Sequence, residues 1–136
     1  MRTVLFALLL TLSSAAQALE EADRGPIRAV IERQIEAFRR DDAAAAYAQA
    51  APSIQGLFPS QEGFMRMVGE GYAPVYRPRT FSFAEERDGA AGPIQTVRIQ
   101  DEEGRDWIAL YSLERQPDGT WRISGCSLTR EPGETV

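Results

Sequence analysis

The side chains that could do chemistry lie in a few short groups. Asp41-Asp42 offers two carboxylates, one of which could act as a general base if buried. Glu85-Glu86 with Asp88, and the run Asp101-Glu102-Glu103, present oxygen ligands of the kind a hard cation takes. Cys126, beside Ser124 and Ser127, is a candidate nucleophile. Gly69-Glu70-Gly71 is a short glycine-bearing loop, and Arg77 and Arg79, flanked by prolines, could recognise an acidic partner.

Each group also has a plainer account. Aspartates at a helix start cap free N–H groups and oppose the helix dipole, which explains Asp41-Asp42. The acidic runs lack the alternating ligands and terminal glutamate of a calcium loop, so solvated hairpin charge is expected there, and no metal. Cys126 has neither histidine nor lysine anywhere in the chain to lower its pKa, so a packed thiol is expected. Gly69-Glu70-Gly71 is too short for a phosphate loop and follows a helical pattern, which makes it a helix terminator. The absence of histidine removes Ser-His-Asp and Cys-His catalysis, His-ligated zinc and imidazole relays within this chain. No residue is assigned as catalytic, and no cofactor is expected.

The elements that must position these groups follow from length and pattern. The 136 residues suffice for one modest domain. Arg2, the apolar run Val4 to Leu12 and the small-x-small site Ala16-Gln17-Ala18 read as an export signal, cleaved after Ala18. The run is too short to span a bilayer, so a soluble periplasmic or secreted product without stable membrane insertion is expected. Removing residues 1–18 takes away Arg2 and no acid, leaving 14 basic against 20 acidic side chains. That acidic balance argues against nucleic acid as a partner. The mature domain is expected over 19–130, with a polar tail over 131–136.

Pro26 marks the first turn of a helix whose stripe Ile27, Val30, Ile31, Ile35 and Phe38 recurs at helical spacing. An aspartate then caps an alanine-rich second helix that runs to Ala51 and stops at Pro52. Ser60 caps a third, with Phe64, Met67 and Val68 as its apolar stripe. After Pro78 the period changes to alternation, with strands near Thr80–Glu85, Ile94–Gln100, Asp106–Glu114 and Trp121–Leu128. The fold class is therefore α+β, with three N-terminal helices packed on one face of a curved four-stranded antiparallel sheet.

Two turns set the register. Pairing Gln116 with Thr120 around Asp118-Gly119 puts Leu113 opposite Ile123, Tyr111 opposite Gly125, Ala109 opposite Ser127 and Trp107 opposite Thr129. Pairing Asp101 with Arg105 puts Ile99 beside Trp107 and Val97 beside Ala109. Tyr111 and Trp107 then share the helix-covered face with small Ala109, Gly125 and Ser127, leaving volume for a small apolar ligand. The candidate ligand-binding residues are Gln95, Trp107, Tyr111, Ser127 and Tyr47; the alternative is a solid core filled by Tyr47 or Phe64. The other face carries Ile108, Leu110, Cys126 and Leu128, a candidate homodimer interface.

The order of parts resembles the nuclear transport factor 2-like, or SnoaL-like, cone-shaped superfamily. More closely, Gln34-Ile35-Glu36-Ala37-Phe38, Ser53-Ile54-Gln55, Gly71-Tyr72-Ala73-Pro74-Val75-Tyr76-Arg77-Pro78 and Ala109-Leu110-Tyr111-Ser112-Leu113-Glu114 resemble domain-of-unknown-function family 4864. That resemblance implies an exported bacterial protein without an assigned activity. The expected function is a small binding or protein-interaction module that homodimerises and takes a small hydrophobic ligand or another exported protein. The alternative is a cofactor-free isomerase- or dehydratase-like enzyme acting on a hydrophobic ligand in the cone.

Overall fold

The computed structural model describes residues 20–131. The expected export segment 1–18 and the tail beyond Glu131 lie outside the described residues. The first helix, α1 (Glu21–Arg39), begins five residues before Pro26. Its start is set by Glu20, whose N–H donates to Asp23 Oδ2 at 3.3 Å, and by the acids of the first turn, which face the positive helix end. Pro26 is therefore inside α1 rather than in its first turn. The whole expected stripe is buried, together with Gln34 and Ala37.

Where three helices were expected, five short-to-long segments form among the described residues. Asp42 caps α2 (Ala43–Ala48) by accepting from Ala45 N–H at 3.1 Å. Asp41 takes no part in the cap. It sits in the left-handed region at φ 54° and turns its carboxylate to Tyr76 and Arg77. The alanine run ends at Gln49 because the chain then bridges to the sheet. Ala51 N–H donates to Ile123 O and Ile123 N–H to Gln49 O, both at 2.8 Å. Pro52 thus starts α3 (Pro52–Leu57) instead of ending α2, as a proline without an N–H can at a first helical position. Ser60 caps α4 (Gln61–Gly71) through Gly63 N–H at 3.0 Å, and α5 (Ala73–Tyr76) follows directly.

The sheet is antiparallel throughout, in the order β1 (Thr80–Gly89), β2 (Gly92–Gln100), β3 (Asp106–Arg115), β4 (Trp121–Arg130). The β2–β3 register is the expected one, with Ile99 opposite Trp107, Val97 opposite Ala109 and Gln95 opposite Tyr111. Near the second turn β3 and β4 also pair as expected, Leu113 with Ile123 and Glu114 with Arg122. Beyond it Ser124 is an extra residue on β4. Ser112 then faces Gly125, Tyr111 faces Cys126, Leu110 faces Ser127, Ala109 faces Leu128 and Trp107 faces Arg130.

A side-chain period of two makes this single bulge decisive, because a slip of one residue exchanges the faces. Cys126 and Leu128 turn inward and pack on the core, while Ser127 turns outward and is exposed. The expected placement of these three is corrected accordingly: Ser127 is not beside the cavity, and the outer stripe keeps only Ile108 and Leu110.

A second bulge lies between Phe83 and Glu86, where two β1 residues oppose Thr96 alone. It brings Glu86 onto the core face opposite Gln95. The Glu86 side chain is only 4% exposed and is met by Arg24 Nε at 3.1 Å and Arg28 Nε at 3.3 Å, both from α1. Glu86 is therefore not solvated hairpin charge but an inward acid tying the first helix to the sheet. Asp101 departs from expectation in the same way, being 4% exposed inside its own turn.

Candidate ligand cavity

A cavity of about 380 Å³ lies between the helices and the β3–β4 half of the sheet. Its floor is Tyr111 from β3 with Ile123, Gly125 and Cys126 from β4. Gln34 and Phe38 of α1 close one side, and Phe64, Met67 and Val68 of α4 close the other. The spacing that packs Phe64 and Val68 inward is the amphipathic period of α4, anchored by its Ser60 cap. Aromatic contacts hold this wall: Phe38 and Phe64 centroids are 6.1 Å apart, and Tyr47 meets Phe64 edge-on at 5.6 Å.

The mouth is built by α3. No side chain of α3 is fully buried, and the helix is held by a reciprocal clamp instead. Tyr47 Oη lies 2.7 Å from Phe58 O and 3.2 Å from Gln55 O, so its one proton serves the nearer carbonyl best. Gln55 Nε2 donates back to Tyr47 O at 3.0 Å and to Ala50 O at 3.3 Å. Leu57, 72% exposed, stands at this rim.

Of the five residues expected at a ligand, Tyr111 alone lines the cavity. Gln95 is fully buried elsewhere: its Nε2 donates to Ala84 O at 3.1 Å and Thr96 O at 2.8 Å, which supplies a partner for the carbonyl freed by the β1 bulge. Trp107 is half-buried, and its indole N–H donates to Asp101 Oδ2 at 2.9 Å. Tyr47 holds α3 from behind the wall. Ser127 is on the open face. The lining from α3, α4 and α5 and from Gln34 is not among the expected ligand residues, although the apolar stripe Phe64, Met67, Val68 is a signal that points to it.

The floor is electrostatically quiet. Tyr111 is 1% exposed, and its hydroxyl has no oxygen or nitrogen partner; its polar neighbour is the Cys126 thiol. Burial, with a smaller contribution from Cys126, pushes the Tyr111 phenol well above its usual range. Burial likewise pushes the Cys126 thiol up to about 12, opposed weakly by Tyr111. No Asp, Glu or Arg is among the lining residues.

A second hollow, of about 390 Å³, lies where α4 and α5 approach the Asp101–Arg105 turn, and Arg77, Asp101, Glu103 and Arg105 of its lining are already paired. Asp101 Oδ1 accepts from the backbone N–H of Glu103 and Arg105, and Oδ2 accepts from Arg105 Nε at 3.0 Å and from Trp107. Desolvation raises its pKa, yet the bonds from Trp107 and Arg105 outweigh it and hold the carboxyl at about 2. Arg77 donates to Asp41 Oδ1 at 2.7 Å and to the Phe38 carbonyl at the end of α1. The hydrogen bond from Tyr76, followed by that from Arg77, holds Asp41 below its usual range. Arg79 donates to Glu102 O at 3.0 Å. Among the described residues no cluster of three His, Cys, Asp or Glu side chains is placed to hold a metal ion, and no helix is long and apolar enough to cross a membrane.

The sequence profile of a family described as a domain of unknown function, DUF4864, matches residues 20–136. The chain belongs to the DUF4864 family. No curated protein matches it significantly. The match spans α1 to β4, so the cavity of this DUF4864 domain is built entirely within the family region. Its polar inventory is short: an amide from Gln34, the hydroxyls of Tyr72 and Tyr111, and the Cys126 thiol.

Proposed function

We propose that this DUF4864 domain is an exported binding module that takes a small hydrophobic molecule between α3, α4 and the β3–β4 floor. The observation that carries the proposal is the cavity of about 380 Å³ whose lining is apolar apart from a few neutral groups. Its volume falls within the range of about 300–1,000 Å³ usual for small-molecule pockets. Native mass spectrometry of the mature chain, with N-phenyl-1-naphthylamine fluorescence as a second readout, tests it. A co-purified or added apolar ligand at one per chain is expected; no adduct and no fluorescence gain would count against it.

Binding is favoured over the isomerase- or dehydratase-like alternative because that chemistry needs a base at the ligand. The lining offers no carboxylate, and its phenol and thiol at Tyr111 and Cys126 are both held protonated at neutral pH by burial. The layering of helices on one face of a four-stranded antiparallel sheet supports placement among the nuclear transport factor 2-like cone folds. Export rests on Arg2, the Val4 to Leu12 run and Ala16-Gln17-Ala18, and N-terminal sequencing of the secreted or periplasmic product should begin at Leu19. Homodimerisation retains Ile108 and Leu110 on the open sheet face as its support; light scattering of the mature chain at high concentration decides it, a monomer counting against it.

A further inference from the structure

We infer that the cavity selects a neutral, mostly apolar molecule with a hydrogen-bond acceptor, such as a carbonyl or ether oxygen, at its buried end, and that the Tyr111 hydroxyl receives that acceptor. The inference rests on the binding role proposed for the same cavity. Tyr111 lines the floor, is 1% exposed, and its hydroxyl lacks an oxygen or nitrogen partner. A buried donor left this way is destabilising, and native structures fill such positions with a partner, a water or a ligand. The neighbouring Cys126 thiol is a weak acceptor and does not discharge that requirement. Cys126 also lines the cavity, so the hydroxyl's one polar neighbour belongs to the same wall.

Gln34 Nε2 already donates to Ala46 O at 3.2 Å. Charge sets the rest of the selectivity. With no Asp, Glu or Arg in the lining, a carboxylate or an amine entering the cavity would be desolvated without a counter-charge. A phenol kept protonated by burial retains its O–H as a donor, and an acceptor on the ligand gives that donor its partner. Leu57 at the rim and the unburied α3 mark the side of entry.

The test uses the full mature chain and three matched probes: 2-acetylnaphthalene, 2-ethylnaphthalene and 2-naphthoate. Their affinities are read by displacement of N-phenyl-1-naphthylamine, and the bound acetyl carbonyl stretch by infrared difference spectroscopy. The acetyl compound should bind about three- to tenfold tighter than the ethyl compound, as one hydrogen bond allows, with naphthoate weakest. Its carbonyl stretch should move to lower wavenumber. Tyr111→Phe should abolish both the affinity difference and the shift, with circular dichroism reporting the fold. Equal acetyl and ethyl affinities in the unaltered chain, or naphthoate binding best, would overturn the inference and leave the cavity as a binding site. Failure of all the naphthyl compounds to bind would overturn both.

Discussion

Tyr111 stands directly opposite Cys126 across the β3–β4 ladder, one residue away from the Gly125 that its turn would have placed there. Ser124 causes the offset, and the offset replaces a glycine beside the phenol with a thiol. That exchange sets the thiol beside a buried phenol that has no oxygen or nitrogen partner. The same bulge carries Leu128 into the core and Ser127 out of it, so one extra residue settles the composition of both sheet faces.

Cys126 should be slow to modify. Burial pushes its thiol from 9.0 to about 12, which at pH 8 lowers the thiolate fraction by roughly a thousandfold. Reaction with a disulfide reagent such as 5,5′-dithiobis-(2-nitrobenzoate) should be at least about a hundredfold slower in the native protein than in denaturant. Comparable rates in the two states would contradict the packed thiol.

Asp101 should make stability fall on the acid side. Its folded pKa of about 2 lies below the ordinary 3.8, so the unfolded chain binds the proton first as pH falls. The contribution is therefore complete above about pH 4 and is lost between there and about pH 2. Melting temperatures across this window, compared with Asp101→Asn, should show the variant less stable at neutral pH and with a shallower acid slope. Parallel curves would remove the carboxylate from the account.

Gln95→Leu should destabilise the sheet without touching the cavity. The substitution removes the donor to Ala84 O at the β1 bulge and to Thr96 O. A loss of about 1–3 kcal/mol by urea unfolding is expected, because buried carbonyls are left unpaired. Affinity of the stable fraction for an apolar probe should stay as it was, since Gln95 is not in the lining.

Gly92→Ala tests the backbone at the β1–β2 turn. Gly92 has φ 131°, and a Cβ there would meet Leu113 O at 2.6 Å. Strain and clash together should lower stability by at least about 2 kcal/mol, measured by denaturant unfolding. Gly119→Ala, with φ 86° but open space around it, should be milder.

Tyr47→Phe should loosen α3 alone. The hydroxyl bond to Phe58 O is lost, while the ring still packs on Phe64. Hydrogen exchange of amides 53–58 should quicken with little change in α1 or the sheet. Uniform quickening across the chain would mean that Tyr47 supports the core and not the mouth of the cavity.

The sequence by itself determined what depends on near neighbours. The buried stripe of α1, the Ser60 and Asp42 caps, the four strands and the β2–β3 register follow from period and turn chemistry, because both act over a few residues. Tertiary structure decided the rest. Whether the alanine run continued to Pro52 depended on Gln49 and Ala51 finding Ile123 at the edge of β4, about seventy residues on. Neither bulge has a local signature, since the extra residue is placed by what packs on the sheet: Glu86 against the arginines of α1, Cys126 against Tyr111 under α4. Of the five residues expected at the ligand, Tyr111 lines the cavity because its face was set before the bulge. Ser127 lies beyond the bulge, and Gln95, Trp107 and Tyr47 are held by partners that only the folded chain brings near.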